Sequence, residues 1–266
     1  MATFSTLQTR VQSNIIDLPT AVLNQVNTFI NAAILALQEI HDFQVMEAEK
    51  QYITPVQTPT QTHILGQIPA NWKSVRGNPY YVLSAGSTRG LLWQPDREYL
   101  YREYEPTDPN QTGAPRRLLL GEATNDTLSD PDNPDLSLAA LNIEIYPYPD
   151  GSSDWTDGNY RVHIPYWTYL PQLSAGTDTN WFCADGPRAE FVVAYATRMG
   201  FEMDWDEQRA AYWQRQAWGG WDGVNFRTLG GYARQVLKLD AARQAQPSKT
   251  LAPRRDVFGP RDQWRQ

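Results

Sequence analysis

Cysteine and histidine are scarce in this sequence, and their scarcity narrows the possible functions. The only cysteine is Cys183, so an internal disulfide is impossible and the chain fits a reducing compartment. The three histidines, His41, His63 and His163, fall in three different predicted elements. None has a second histidine or cysteine at the spacing of metal ligands. We therefore expect neither a zinc site nor a cysteine nucleophile, and the sequence predicts no cofactor.

Long apolar runs are also missing. The most apolar stretch, residues 30–37, is far shorter than the roughly 20 residues that a membrane span requires. The N-terminus has no basic region followed by an apolar run, so we expect no signal peptide. With 41% hydrophobic and 20% charged residues, the 266-residue chain has the composition of a globular protein of one or two domains.

Motifs for catalysis or phosphate binding are absent as well. The sequence contains no G-x-S-x-G motif and no glycine-rich phosphate-binding loop. Two acidic loops, residues 130–135 and 150–157, could offer oxygen ligands to calcium, but neither follows the EF-hand order. Turns favour Asp and Asn for backbone reasons, which explains such loops without a metal. With 30 acidic residues, a chance pair of carboxylates is no evidence for a glycosidase. The sequence thus predicts a protein that is not an enzyme.

Negative charge is spread over most of the chain, whereas positive charge collects at its end. Residues 243–266 contain six basic and two acidic residues, a net charge of +4. Because the formal net charge of the chain is −7, the preceding 242 residues carry −11. Phosphate contacts need clustered Lys and Arg, so this acidic body disfavours non-specific binding to nucleic acid.

The N-terminal part of the sequence has helical periodicity. Residues 1–16 predict a short amphipathic helix. From Pro19 to Tyr52, apolar residues recur at three- and four-residue steps without an interrupting glycine, and Asp17 or Thr20 could cap the start. We therefore predict one helix of about 45 Å. Its apolar stripe consists of Val22, Val26, Phe29, Ile30, Ala33, Ile34, Leu37 and Ile40.

The middle of the chain has the signals of strands and loops. Candidate strands are His63–Ile68, Tyr80–Ala85, Glu98–Glu103, Arg117–Gly121, Leu141–Tyr146 and Tyr160–Thr168. The last two alternate most clearly between apolar and polar residues, and a turn-rich connection joins them. We predict that these two strands pair as a long-looped hairpin within an antiparallel sheet or small sandwich.

Helical periodicity returns near the C-terminus. Predicted helices cover Pro187–Met203, with Asp185 as cap, then Asp204–Trp218 and Leu229–Ala245. The fold class is therefore α+β. We predict N-terminal helices over residues 1–52, an inserted antiparallel β region over 53–182, and C-terminal helices over 183–246 that complete a helical platform. Residues 247–266 are predicted to form an extended arm.

Ten tryptophans need an explanation. Trp155, Trp167 and Trp181 fall in or beside the predicted β region, and Trp205, Trp213, Trp218 and Trp221 cluster around the C-terminal helices. Exposed rings could stack on sugars, which would make this a carbohydrate-binding protein. Alternatively, the rings fill a core or a subunit interface, where Trp, Tyr and Arg are enriched. We favour the interface.

Several segments occur in an order that resembles a known family. They are the start of the long helix at Asp17-Leu18-Pro19 with Ile30-Asn31-Ala32-Ala33, the stretch Ile143 to Pro149, the strand Tyr160 to Tyr166, Leu170-Pro-Gln-Leu-Ser174, and Ala189 to Tyr195. Over about residues 5–215 the chain resembles the head-to-tail adaptor (connector) proteins of tailed bacteriophages. The tryptophan-rich stretch 205–221 and the long tail depart from that pattern.

The resemblance implies a structural virion protein at the head–tail interface, assembled in the host cytoplasm. Such adaptors form a ring, typically a dodecamer, that docks beneath the portal protein and continues the DNA channel. The implied partners are the portal, tail or nozzle proteins and further copies of the chain. Viral DNA would pass through without sequence-specific binding, and no membrane is involved.

The basic tail acquires a role under this interpretation. We hypothesise that residues 247–266 are disordered in the monomer and fold onto the portal. The apolar anchors would be Leu251, Val257, Phe258 and Trp264, and Arg254, Arg255 and Arg261 would pair with portal acids. The alternative is an unstructured, solvated terminus.

Overall fold

A computed structural model describes residues 2–54, 64–94, 97–104, 111–121, 142–220 and 228–244. Within these residues the chain divides into two compact units. The helical unit contains the described residues up to Met46 and those from Tyr169 onward, and the β unit lies within Glu47–Thr168. None of the described helices is long and apolar enough to cross a membrane.

The described part of the chain contains both helices and strands, so the predicted α+β class is confirmed. The helices are α1 (Phe4–Asn14), α2 (Thr20–Leu23), α3 (Val26–Ile40), α4 (Arg97–Glu103), α5 (Pro187–Met203), α6 (Glu207–Trp218) and α7 (Gly231–Gln244). The strands are β1 (Glu47–Ile53), β2 (Ile64–Gln67), β3 (Trp72–Val75), β4 (Tyr80–Val82), β5 (Thr88–Gly90), β6 (Leu92–Trp93), β7 (Thr112–Gly113), β8 (Arg117–Gly121), β9 (Asn142–Tyr146), β10 (Tyr148–Pro149) and β11 (Arg161–Thr168).

Helix α5 is the centre of the helical unit. Pro187 lies in its first turn, where the missing N–H costs no hydrogen bond. The helix packs against α1, α3, α6 and α7. Its buried residues are Ala189, Phe191, Val192, Val193, Ala194, Ala196, Thr197, Gly200 and Phe201. Because these lie on more than one side of the helix, α5 needs neighbours from both ends of the chain.

Two side chains of α3 hold the segment that follows β11. The side-chain amide of Asn31 donates to the carbonyl of Leu173 (3.0 Å) and accepts from the Leu173 N–H (2.9 Å). About two turns further along α3, the side-chain oxygen of the buried Gln38 accepts a hydrogen bond from the Leu170 N–H (2.6 Å). These bonds satisfy backbone groups that run beside the helix without regular secondary structure.

The β unit consists of sheets that share one hydrophobic core. One sheet has the strand order β1-β11-β4-β5, with β3 also pairing with β11. A second sheet has the order β2-β9-β8-β6, and β7 and β10 form a third, two-stranded sheet. Ile143 and Ile145 of β9 and Val162 and Ile164 of β11 are fully or almost fully buried in the shared core.

The predicted helix from Pro19 to Tyr52 is wrong in its extent. A turn separates α2 from α3, which ends at Ile40, and residues 47–53 form β1. The apolar stripe also ends at Ile40, and His41 has extended backbone. Over its whole length β1 pairs with β11. This non-local pairing overrides a helical propensity that local sequence suggested.

One predicted strand and one predicted strand pairing are wrong. Glu98–Glu103 lies in helix α4, because Leu100 and Tyr104, four residues apart, pack on Leu119 and Tyr146. The predicted hairpin of Leu141–Tyr146 with Tyr160–Thr168 does not form, since β9 and β11 belong to different sheets. Their alternation identified buried faces but not neighbouring strands.

Other predicted elements are confirmed, with small shifts of their ends. Strands lie at β2, β4, β8, β9 and β11, and helices lie at α1, α5, α6 and α7. The caps predicted for two helices are wrong: Gly186, not Asp185, precedes α5, and Pro19, not Asp17 or Thr20, precedes α2. Gly186 has φ +89°, a backbone conformation that favours glycine over aspartate.

We expect Asn31→Leu to lower the free energy of unfolding by about 1–3 kcal/mol, because the Leu173 N–H and carbonyl would lose their partners. Urea denaturation followed by far-UV circular dichroism measures the change. Asn24→Leu, at an exposed position, is the control. Equal stability of the two variants would contradict the role given to Asn31.

Candidate docking surfaces

Arg209 ties the start of α6 to the corner between α1 and α2. Its guanidinium donates to the carboxylates of Asp17 and of Asp206, the N-cap residue of α6. Its Cζ atom also lies 4.3 Å from the centre of the Phe201 ring. The side-chain hydrogen bond from Arg209 lowers the pKa of Asp17, and the backbone and side-chain hydrogen bonds from Arg209 lower the pKa of Asp206. This corner is therefore fixed by charge-assisted bonds.

Trp205 projects from this corner into solvent. Its side chain is 88% exposed, the highest value among the large apolar residues that the structure describes. Its φ is +59°, a conformation that is costly for a bulky residue. Ile16, next to Asp17, is 77% exposed, and Met203 is 47% exposed. We call Ile16, Met203 and Trp205 the corner patch. An exposed and strained tryptophan of this kind is typical of a binding surface.

The rim of the corner patch carries acidic side chains. Asp204 and Glu207 flank Trp205 and its neighbour Asp206 in the sequence. Within the described residues, neither Asp204 nor Glu207 forms an ion pair. The two carboxylates are thus available to a partner that carries positive charge.

Helix α7 presents a surface of opposite charge. Arg234, Lys238 and Leu239 are exposed, and we call these three residues the α7 outer face. Among the residues with described coordinates, neither Arg234 nor Lys238 has an ion-pair partner. The side of α7 that contains Val236 is buried. The outer face therefore combines free positive charge with exposed apolar surface.

A buried carboxylate fixes α7 to the end of α3. Asp240 is 1% exposed and accepts from the Gln44 N–H at 3.1 Å. Its other oxygen lies 3.0 Å from Nε2 of His41. These contacts hold the helix in one orientation, so the position of the α7 outer face is set by the core of the helical unit.

A polar groove lies between α1, α5, α6 and α7. It encloses about 320 Å³ and is lined in part by Tyr212, Trp213 and Tyr232. Nη2 of Arg10 lies 2.7 Å from both carboxylate oxygens of Glu190 within it. This ion pair joins α1 to α5, and its charges are already satisfied by each other.

The acidic loop at residues 150–157 is held by hydrogen bonds from backbone N–H and hydroxyl groups, both within the loop and outside it. Asp154 accepts from the N–H and hydroxyl of Ser84, and Asp150 accepts from the Tyr160 hydroxyl and the Ser152 N–H. In the described part of the chain, no three His, Cys, Asp or Glu side chains are placed to hold a metal ion. The other acidic loop, residues 130–135, lies outside the described residues.

The tryptophans of the β unit are packed rather than displayed. Trp72 stacks on Tyr166 at 4.9 Å, and Trp155 lies under Arg161 and donates to the Val82 carbonyl at 2.9 Å. No described tryptophan of the β unit is exposed. A flat aromatic platform for sugar stacking is therefore not found in this part of the structure, and the exposed Trp205 lies in the helical unit.

The remaining candidate residues fall in separate places. The predicted portal-docking residues Leu251, Arg254, Arg255, Val257, Phe258, Arg261 and Trp264 lie outside the described residues, as do His63 and Trp221. His41 contacts Asp240, whereas Nδ1 of His163 lies 2.8 Å from Glu49. Cys183 is buried, and burial raises the pKa of its thiol, which disfavours the nucleophilic thiolate.

Sequence reasoning did not single out the corner patch. Trp205 is one of ten tryptophans, and the sequence does not indicate which of them is exposed. A usable signal was the direct succession of two predicted helices at Met203 and Asp204, with no linker between them. Such a tight junction forces an unusual backbone conformation and turns a side chain outward.

Comparison with known protein families identifies the family to which this chain belongs. The model of the SU10 adaptor protein family matches residues 2–225. The chain therefore belongs to the SU10 adaptor protein family, whose members are bacteriophage adaptor proteins. It is a structural virion component that interacts with portal and tail proteins. No curated protein matches the chain. The matched region ends before α7.

We expect Trp205→Gly to be more stable than Trp205→Ala by about 1 kcal/mol, because glycine adopts positive φ without steric cost. Urea denaturation measures both variants. Ala211→Gly, at an exposed position of regular helix, should instead cost about 1 kcal/mol. Equal stability of the two Trp205 variants would show that the positive φ is not strained.

The corner should weaken at low pH. Because the pKa values of Asp17 and Asp206 are lowered in the folded state, their stabilisation is present above the ordinary aspartate pKa of 3.8. It is lost as the pH falls through the folded values. The urea midpoint of Arg209→Gln should therefore fall less steeply than that of the wild type between about pH 5 and about pH 2. Arg215→Gln, also exposed on α6, should keep the wild-type slope.

Proposed function

We propose that this adaptor forms a ring, typically a dodecamer, under the portal, where it continues the DNA channel and provides the docking surface for the tail. The observation that carries the proposal is the corner patch. Trp205 is 88% exposed in a strained backbone conformation, and Arg209 is held close to it. Tryptophan and arginine are the residue types that dominate the binding energy at protein interfaces. Copies that bind each other through unlike surfaces close into a ring when the rotation divides a circle.

The β unit offers a separate surface for tail or nozzle proteins. Leu92 is 52% exposed and pairs through β6 with Arg117 of β8. Tyr99, 51% exposed, lies with its ring 5.8 Å from Cζ of the same arginine. Leucine, tyrosine and arginine side chains that lie next to each other form a surface that a protein partner can bind. Because the chain divides into two units, the β unit can bind tail or nozzle proteins while the helical unit contacts neighbouring copies.

The charge distribution suits a channel for DNA. The −11 carried by residues 1–242 would repel phosphates, so DNA would pass without sequence-specific binding. We also propose that this protein has no catalytic activity. We propose that it assembles in the host cytoplasm.

The basic C-terminal arm is proposed to bind the portal. Residues 247–266 combine Leu251, Val257, Phe258 and Trp264 with Arg254, Arg255 and Arg261. If the arm orders only on the portal, the free protein stays monomeric until the portal recruits it. Ordering on binding lowers the affinity per contact area but makes assembly depend on the portal.

Sedimentation velocity with the portal ring of the same phage tests this proposal. The full-length chain should co-sediment with the portal and saturate at the number of copies in one ring. A chain that ends at Gln246 should lose this binding, whereas Arg89→Ala, an exposed change in the β unit, should not. Unchanged binding of the shortened chain would remove the role of the arm. No binding of the full-length chain would refute the adaptor ring.

A further inference from the structure

We propose that neighbouring copies in the ring join through the corner patch of one copy and the α7 outer face of the next. This inference rests on the proposed ring and names the surfaces that build it. The occupant of the corner patch is therefore a second copy of this chain. The two surfaces complement each other in charge and in apolar contact, and both belong to one unit.

The charges left without partners on the two surfaces are opposite. The corner patch is flanked by the carboxylates of Asp204 and Glu207, and the α7 outer face carries the cations of Arg234 and Lys238. In the described residues none of these four side chains has an ion-pair partner. Two acids facing two bases would satisfy both surfaces, and like surfaces of two copies would repel each other.

The apolar groups are also complementary. Trp205 presents a large ring, and the α7 outer face offers Leu239, which is 43% exposed, with the methylene stems of its arginine and lysine. A guanidinium or ammonium over an indole ring adds a cation–π contact. Ile16 and Met203 widen the contact on the tryptophan side. The result is an apolar centre with a charged rim, which is the usual composition of a protein interface.

Both surfaces are fixed to the same helical unit. The Arg209 bonds to Asp17 and Asp206 hold the corner, and the buried Asp240 holds α7. Since the two surfaces are different, their contact is heterologous, and each copy uses one surface toward each neighbour. Such contacts propagate from copy to copy, which a two-fold contact cannot do. A stiff unit with fixed surfaces gives every contact the same rotation, as a closed ring requires.

Site-specific cross-linking tests the contact. The one native cysteine is buried, so Trp205→Cys and Leu239→Cys introduce the reactive thiols. On the portal, the chain with both cysteines should give a ladder of dimers, trimers and larger products with a short bismaleimide. Each single variant should give no product, and a mixture of the two single variants should give dimers alone. A cross-link between two copies of Trp205→Cys, or rings that form on the portal without a ladder of cross-linked products, would overturn the proposal.

Charge reversal gives an independent test. The acid-reversed variant carries Asp204→Lys and Glu207→Lys, and the base-reversed variant carries Arg234→Glu and Lys238→Glu. Each alone should lose ring formation on the portal, because its two surfaces then have the same sign. An equal mixture should restore rings in which the variants alternate. Arg89→Glu, a reversal in the β unit, should form rings like the wild type.

The outcomes separate this inference from the proposed function. The proposed interface would be overturned if each reversed variant formed rings on the portal as well as the wild type, or if the mixture did not restore rings. Either result would leave the proposed adaptor ring in place. Loss of DNA binding by the base-reversed variant, with its rings intact, would assign the α7 outer face to DNA instead. Absence of wild-type rings would overturn both proposals. Circular dichroism of each variant establishes that it is folded.

Discussion

The burial of α5 is the constraint on which the helical unit depends. Its apolar residues lie on more than one side, so they are covered only if helices from both ends of the chain pack around it. Gly200 shows how close this packing is: a Cβ atom there would lie 3.2 Å from Cδ1 of Ile15. One consequence is that residues far apart in sequence, such as Ile16 of the corner patch and Leu239 of the α7 outer face, belong to one unit. The two surfaces proposed to join neighbouring copies are thus positioned by the burial of one helix.

Local patterns predicted much of the fold but not its non-local pairings. The helices α1, α5 and α6 and the strands β9 and β11 repeat their buried residues at regular steps, and those steps were correctly interpreted. Residues 47–52 were assigned to a helix because no glycine or proline interrupts them, yet their partner β11 lies more than a hundred residues away. Alternation in β9 and β11 indicated which side chains are buried but gave no information about strand order.

The candidate surfaces were harder to predict than the fold. The sequence led to the adaptor family through the order of its segments, and the structure gives one of these segments a physical role, since Asn31 holds the backbone of Leu173. The abundance of tryptophan pointed to an interface but did not distinguish Trp205 from the packed Trp72 and Trp155. Exposure depends on where a helix junction places a side chain, and periodicity does not contain that information. The role of the C-terminal arm stays a prediction.

Copies of this chain are proposed to build a symmetric layer on the portal. Electron microscopy of the full-length protein mixed with the portal ring of the same phage tests it most directly. If the proposed ring forms, we expect an added ring on the narrow end of the portal, with the portal's axis running through its centre. Free monomers beside bare portals, or copies bound without rotational symmetry, would contradict it.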